Sequence, residues 1–271
     1  MGLRDLLRRG ETPAADPAEI VWFHSIDLGD DVVTAGVKSP ELLAHELAHC
    51  RLPDLQGRSV LDVGAWDGYF SFAAERLGAA RVVALDHYAW SMDLHAQHAY
   101  LAERRARGET PEPFERVPGV WRPRELPGRR GFDLARDRLG SRVEPVVGDL
   151  MALEPGSLGR FDVVLYLGVL YHMQDPLGAL RRLAAVTGEL AVIETEAVRF
   201  PALGGRSVWE FFPGDELAGD PSNWWVPTER ALLGLCRAAG FAGAETVVGP
   251  PPAAAGDPEA VRYRAVVHAH R

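Results

Sequence analysis

The chain has 271 residues, a formal net charge of −9 and 47% hydrophobic residues. The charge disfavours a general nucleic-acid binder, which needs a basic face, and leaves room only for a local basic groove; the apolar content argues against wholesale disorder. Cys50 and Cys236 lie far apart without metal spacing and read as reduced thiols of a cytoplasmic protein; no apolar run is long enough to span a bilayer, and the first residues lack the apolar core of a secretion signal.

Residues Met1 to Ala18 are basic, then rich in Pro and Ala, and read as a loosely docked arm with one helical turn through Leu3, Leu6 and Leu7. From Ile20 to Lys38, two apolar pieces flank Gly29-Asp30-Asp31, which predicts a hairpin. Trp22, Phe23 and His24 are costly to expose, so this segment is expected to close over a ligand cleft as a lid. The alternative is a hairpin covering a sheet edge, with His24 a structural hydrogen-bonder. Ser39-Pro40-Glu41 opens a helix running to about Cys50. His45-Glu46-x-x-His49 has the order of a zinc-protease helix, but no third ligand stands out downstream, and no metal is expected.

The segment 58–86 is the most informative. Arg58 to Val63 reads as a buried strand, Gly64 to Gly68 as a turn, Gly68 to Leu77 as a helix, and Arg81 to Leu85 as a second strand ending in Asp86. This is the nucleotide-binding half of a doubly wound sheet. Gly64 and Gly68 let the backbone approach a ligand. Asp86 is placed to accept from a ribose diol, and His87 and Tyr88 to flank the ribose or base. Asp62, just ahead of the first glycine, suits a cationic ligand better than a phosphate, and Trp66 is placed to wall its pocket.

A helix is predicted from Ala89 to Arg107. Residues 107–130, rich in Pro, Gly, Glu and Arg, form an insertion expected to help cap the substrate. A helix follows from Gly131 to Gly140, then a third strand, Arg142–Val147, closed by Gly148-Asp149-Leu150. Phe161 to Leu167 is a fourth, continuous buried strand. The Gly168-Val169-Leu170-Tyr171-His172 turn after it lies where such folds hold reactive groups, so Tyr171 and His172 are candidates for the chemistry. After a helix from Pro176, a fifth strand, Gly188–Glu194, ends in Glu194-Thr195-Glu196; Glu194 is the candidate acidic helper. Residues 200–223 are a second cap insertion with Trp209, Phe211 and Phe212. A helix over Glu229–Ala239 and a closing antiparallel pair, Ala244–Val248 and Arg262–Ala269, complete the chain. The expected fold is α/β: a Rossmann-like, mostly parallel seven-stranded sheet with an antiparallel last strand. Residues 1–55 form arm, lid and helix, and 56–271 the main domain.

The pattern Asp62-x-Gly64-x-x-x-Gly68 resembles motif I of the class I S-adenosylmethionine (SAM) methyltransferases. Ile26-Asp27, Leu61-Asp62-Val63-Gly64, Gly168 to His172, Asp175-Pro176-Leu177 and Asn223 to Pro227 together resemble the tRNA wobble-uridine carboxymethyltransferase group. The resemblance implies SAM as cofactor, with contacts at Gly64, Asp86, His87, Tyr88, Asp149, Leu150 and Leu167, and Tyr171 touching the reacting group. It also implies that Lys38 and Arg264 bind the cofactor. Trp66 replaces the motif's middle glycine, and the group's lysine ahead of the Ile-Asp pair has no counterpart.

The leading expectation is methyl transfer to an O, N or C nucleophile of a small molecule, a secondary metabolite or sugar. His172 is the first candidate base and His24 the second. One alternative is a tRNA substrate held by Arg104, Arg105, Arg107, Arg122, Arg124, Arg129 and Arg130. Another is a non-catalytic SAM-binding domain. A metal-dependent variant using His24, His172, Glu194 and Glu196 stays open.

Overall fold

In the computed structural model, residues 16–154, 156–254, 256–257 and 259–271 are described; the expected leucine turn of the arm lies outside them. Ser39 caps α1 (Pro40–His49), accepting the Leu42 amide at 3.3 Å. Then come β1 (Ser59–Val63), α2 (Tyr69–Arg76), β2 (Arg81–Asp86), α3 (Tyr88–Ser91), α4 (Leu94–Arg107), α5 (Arg130–Arg138), β3 (Glu144–Val147), β4 (Phe161–Leu167), α6 (Pro176–Val186), β5 (Thr187–Arg199), β6 (Trp209–Phe211), β7 (Trp225–Pro227), α7 (Glu229–Ala238), β8 (Gly243–Val248) and β9 (Val261–His270).

Seven strands form one sheet in the order β3-β2-β1-β4-β5-β9-β8, and β9 alone runs against its neighbours. Period-two alternation divides the buried runs between two faces. Val60, Val82, Ala84 and Val163 pack with Phe72 of α2 and Phe132 of α5. Leu61, Val83, Val164 and Ile193 pack with Leu180 and Leu183 of α6 and Leu232 of α7. The strand order reverses at β1, with β2 on one side and β4 on the other. A crevice opens there, beyond the strands' carboxyl ends.

Four elements differ from expectation. The helix predicted over 89–107 is two helices, because Asp93 turns its carboxylate back to the Ala96 amide (3.1 Å) and caps α4 afresh. The lid hairpin is fragmentary: one antiparallel bridge, Asp27–Val33, beside a tip where Asp30 and Asp31 both have positive φ. The fifth strand extends to Arg199, since β9 pairs with it throughout, from Leu190–His270 to Arg199–Val261. The second insertion contains β6, which pairs with β7 in a small sheet of its own.

Candidate active site

The turn after β1 is held in an unusual conformation. Gly64, Trp66 and Gly68 all have positive φ (78°, 49° and 88°). For Trp66 that costs roughly 1–2 kcal/mol, and three contacts hold it: its amide donates to Asp86 Oδ2 (2.9 Å), its carbonyl accepts from Trp90 Nε1 (2.8 Å), and its ring stacks on Phe23 (centroids 4.1 Å, 11°). Beneath the turn Asp67, fully buried, accepts the Phe23 and His24 amides at 2.7 and 2.9 Å. The lid is thus clipped to the glycine turn by a residue that the sequence reading passed over. Burial pushes Asp67 up to about 7.

The turn floors a cavity of about 530 Å³ at the switch point, within the range of small-molecule sites. Val63, Gly64 and Trp66 line it from the first strand end, Asp86, His87 and Tyr88 from the second, Asp149 and Leu150 from the third, and Gly168 and His172 from the fourth. Both insertions form its roof: Pro113, Glu115 and Trp121 come from the first, Pro221 and Ser222 from the second, with Trp224 just beyond. Four acids line it, Asp86, Glu115, Asp149 and Asp175; among the described residues, no lysine or arginine does.

Asp86 is buried, and much of its carboxylate is committed. Oδ2 takes the Trp66 amide, and Oδ1 takes those of Ala89 (3.0 Å) and Trp90 (3.4 Å). A carboxylate has about four acceptor positions, so one remains for a ligand hydroxyl rather than the two that a diol presents. Burial raises its pKa.

His172 is fixed from the second insertion. Nδ1 lies 3.1 Å from the Ser222 carbonyl and 2.9 Å from Ser222 Oγ, and the hydroxyl itself donates to Asp220 (2.6 Å). Burial lowers the imidazole pKa, opposed by the Asp220 carboxylate.

Several expected site residues lie off the cavity. His24 is 5% exposed and sits beneath the lid, Nδ1 3.8 Å from Asp67 Oδ2; burial, then the Lys38 charge, hold it neutral, with a pKa lowered to about 3. It does not reach the cavity as a base. Asp62 points to the α2 face of the sheet, accepts Ser71 Oγ at 2.6 Å, and is pushed up to about 7 by burial. Gly68 leaves room for rings: a Cβ there would come 2.7 Å from both Phe132 and Phe72. Leu167 packs against the core, and Lys38 is paired with Glu46 at 2.7 Å.

Tyr171, Glu194 and Arg264 form a cluster one layer behind the cavity wall. Arg264 forks onto the Glu194 carboxylate, reaches Glu196 at 3.1 Å and lies 5.1 Å over the Tyr171 ring. At Gly168 a Cβ would stand 3.5 Å from the Tyr171 hydroxyl and 3.6 Å from Arg264 Nη2. With its fork taken by carboxylates, Arg264 is held above its usual pKa. His45 and His49 lie side by side on α1, exposed, their rings 3.9 Å apart and tilted by 53°; among the described residues no group of three metal-ligating side chains exists.

A family model described as a methyltransferase domain matches residues 38–246. The chain belongs to this methyltransferase family. The site suits SAM as a methyl donor: four carboxylates without a lysine or arginine favour a sulfonium cation over a phosphate. Similar sequences include a tRNA U34 carboxymethyltransferase of Pseudomonas fluorescens, 28% identical over 191 residues, covering 69% of this chain and 46% of the relative. One of Pseudomonas aeruginosa is 31% identical over 199 residues, covering 72% and 48%. The chain therefore spans about half the length of these relatives. Among solved structures, the N-terminal domain of EvdMO1 with SAH bound covers 100% of this chain and 97% of its own at TM-score 0.59 and 18% identity. The same domain in the presence of SAH and D-fucose superposes at TM-score 0.58. These likenesses establish the fold. Among the described residues no helix is long and apolar enough to cross a membrane.

Proposed function

We propose that this domain methylates an O, N or C nucleophile of a small, uncharged or cationic molecule, such as a sugar or secondary metabolite. The carrying observation is the cavity's charge: four acids and, among its described residues, no lysine or arginine. A polyphosphate chain entering there meets like charge. Four of the seven arginines expected for an RNA face are paired with acids on the same surface. Arg104 pairs with Glu109 and Glu112, Arg107 with Glu103, Arg122 with Asp93 and Glu125, and Arg129 with Asp133. The relatives' names favour a tRNA substrate, but their length is about twice that matched here.

In this reading Asp149, Leu150 and Met151 flank the adenine, Asp86 takes one ribose hydroxyl, and the Trp66 turn meets the methionine. Residues 16–55 close over the turn as a lid, and residues 56–271 form the transfer domain. When bound, SAM supplies the methyl group, its sulfur keeping the electron pair of the broken carbon–sulfur bond as the acceptor forms its new bond to carbon. His172 takes the acceptor's proton, and Trp121 and Trp224 provide flat apolar walls for the acceptor. Tyr171, Glu194 and Arg264 act from behind Gly168, where their charges shape the field at the reacting centre. The buried, reduced Cys50 and Cys236 accord with a cytoplasmic setting.

The test is acceptor turnover with labelled SAM across sugars, phenolic metabolites and bulk tRNA at 50 and 200 mM salt. A small acceptor should be methylated at rates differing by less than about twofold. A tRNA-only activity collapsing by about 10³-fold over that range would overturn the reading.

A further inference from the structure

The hydrogen bonds around His172 carry more than its identification as a candidate base. The Ser222 carbonyl can only accept, so the Nδ1 atom 3.1 Å away carries the proton. Ser222 Oγ gives its hydrogen to Asp220 Oδ1 at 2.6 Å and so faces Nδ1 as a second acceptor, at 2.9 Å. Asp220 is itself fixed, because the same Oδ1 accepts the Ser222 amide at 2.8 Å. The remaining nitrogen, Nε2, has no protein partner among the described residues and is not buried.

We propose that Asp220 and Ser222 are positioning residues that lock His172 in its Nδ1–H tautomer, presenting the Nε2 lone pair to the acceptor. The proton leaving the acceptor ends on Nε2, giving an imidazolium whose charge the Ser222–Asp220 pair helps to hold. The relay itself transfers no proton. This deepens the proposed function, since it assumes that the acceptor binds against His172. It also gives the second insertion a part in the reaction: its last turn sets the state of a side chain 50 residues earlier. The Trp224 amide donates to the Tyr171 carbonyl at 2.8 Å and staples the same turn in place.

Besides Asp220 and Ser222, the charged and titratable groups here are Tyr171, whose ring lies 4.3 Å from the imidazole, Arg264, whose charge opposes protonation, and Tyr88 of α3, which faces the Ser222 hydroxyl and the Asp220 carboxylate. Losing the Asp220 carboxylate removes the one charge that favours the imidazolium. The acid limb of the rate profile should then move to lower pH.

The experiment is long-range ¹⁵N NMR of histidine-labelled full chain, with and without SAH, for wild type, Asp220→Ala, Ser222→Ala and Ser222→Thr. The wild type should show His172 in the Nδ1–H tautomer. Asp220→Ala frees the Ser222 hydroxyl to donate to Nδ1, so both tautomers should appear. Ser222→Thr, which keeps the hydroxyl, should match the wild type. With an accepted substrate, Asp220→Ala and Ser222→Ala should lose about 10- to 100-fold in kcat, the loss seen when the outer partner of a metal-bound histidine is removed, with SAH affinity unchanged. A wild-type Nε2–H tautomer, or a tautomer indifferent to Asp220→Ala, would overturn the relay. The tautomer is read without any acceptor, so failure to find methyl transfer counts against the proposed function and not against this assignment.

Discussion

The two insertions that roof the cavity are built by opposite means. Residues 107–130 contain no strand and lean on α3 and α4 through the buried Phe114 and the half-buried Trp121. Residues 200–223 add a strand: β6 pairs with β7, and Phe212 and Leu217 pack on Val198 and Val226. The first, tied by the single bridge Met92–Trp121, presents Glu115 and Trp121 as a wall. The second, tied by a strand pair, places Ser222 against His172. Strand pairing can hold a side chain to within a hydrogen bond; side-chain packing sets shape.

The sharpest test of that contrast is His172→Ala. It should lower kcat by about 10²- to 10⁴-fold, the usual range for a lost general base, with SAH affinity by titration calorimetry unchanged. Next is Phe114→Ala in the first insertion. Phe114 is 1% exposed, and its truncation should cost about 3–5 kcal/mol, seen as a lower melting temperature. The kcat at saturating acceptor should stay within about threefold; a fall comparable to that of His172→Ala would put chemistry in the first insertion and end the contrast. Trp121→Ala should raise the acceptor KM about tenfold, equivalent to about 1.4 kcal/mol, and leave kcat alone.

The smallest effect lies outside both roofs. In the fold His24 stays neutral down to about 3, whereas the unfolded chain protonates it at about 6.5. Below pH 6.5 the unfolded state therefore binds a proton that the folded state refuses, and stability falls as pH drops towards 3. Asp62 and Asp67, raised to about 7, act in the opposite direction. His24→Gln removes only the first contribution, so its melting temperature should fall less than the wild type's between pH 7 and 5. Parallel curves would show that His24 titrates freely, and that the lid is not clipped as described.

The floor of the site was legible because short-range pattern controls it. The apolar run to Val63, the glycines at 64 and 68 and the acid closing β2 fix strand, turn and strand within 30 residues. The seven-stranded sheet with its antiparallel β9 followed from the same runs. What stayed hidden depends on pairs distant in sequence. Ser222 and His172 meet only when the second insertion folds over β4, and Asp67 finds its partners 43 and 44 residues upstream. For Asp62, the alternation along β1 held the answer: if Val63 faces the cavity, Asp62 faces α2. The break before α4 also had a local sign, Asp93 three residues ahead of Ala96. Arg264 shows what a motif position leaves out, since Glu194 and Glu196, 70 and 68 residues earlier, share its guanidinium.

The order of the strands has a consequence for the nascent chain. β9 lies between β5 and β8, yet it is synthesised after the other eight strands described. Until it emerges, β5 has an open edge from Leu190 to Arg199, and Glu194 lacks the guanidinium that neutralises it. Such an edge invites pairing with another chain, so the interval before β9 docks is when the protein is most exposed to misassembly. The cluster of Tyr171, Glu194 and Arg264 is complete only when that strand closes the sheet.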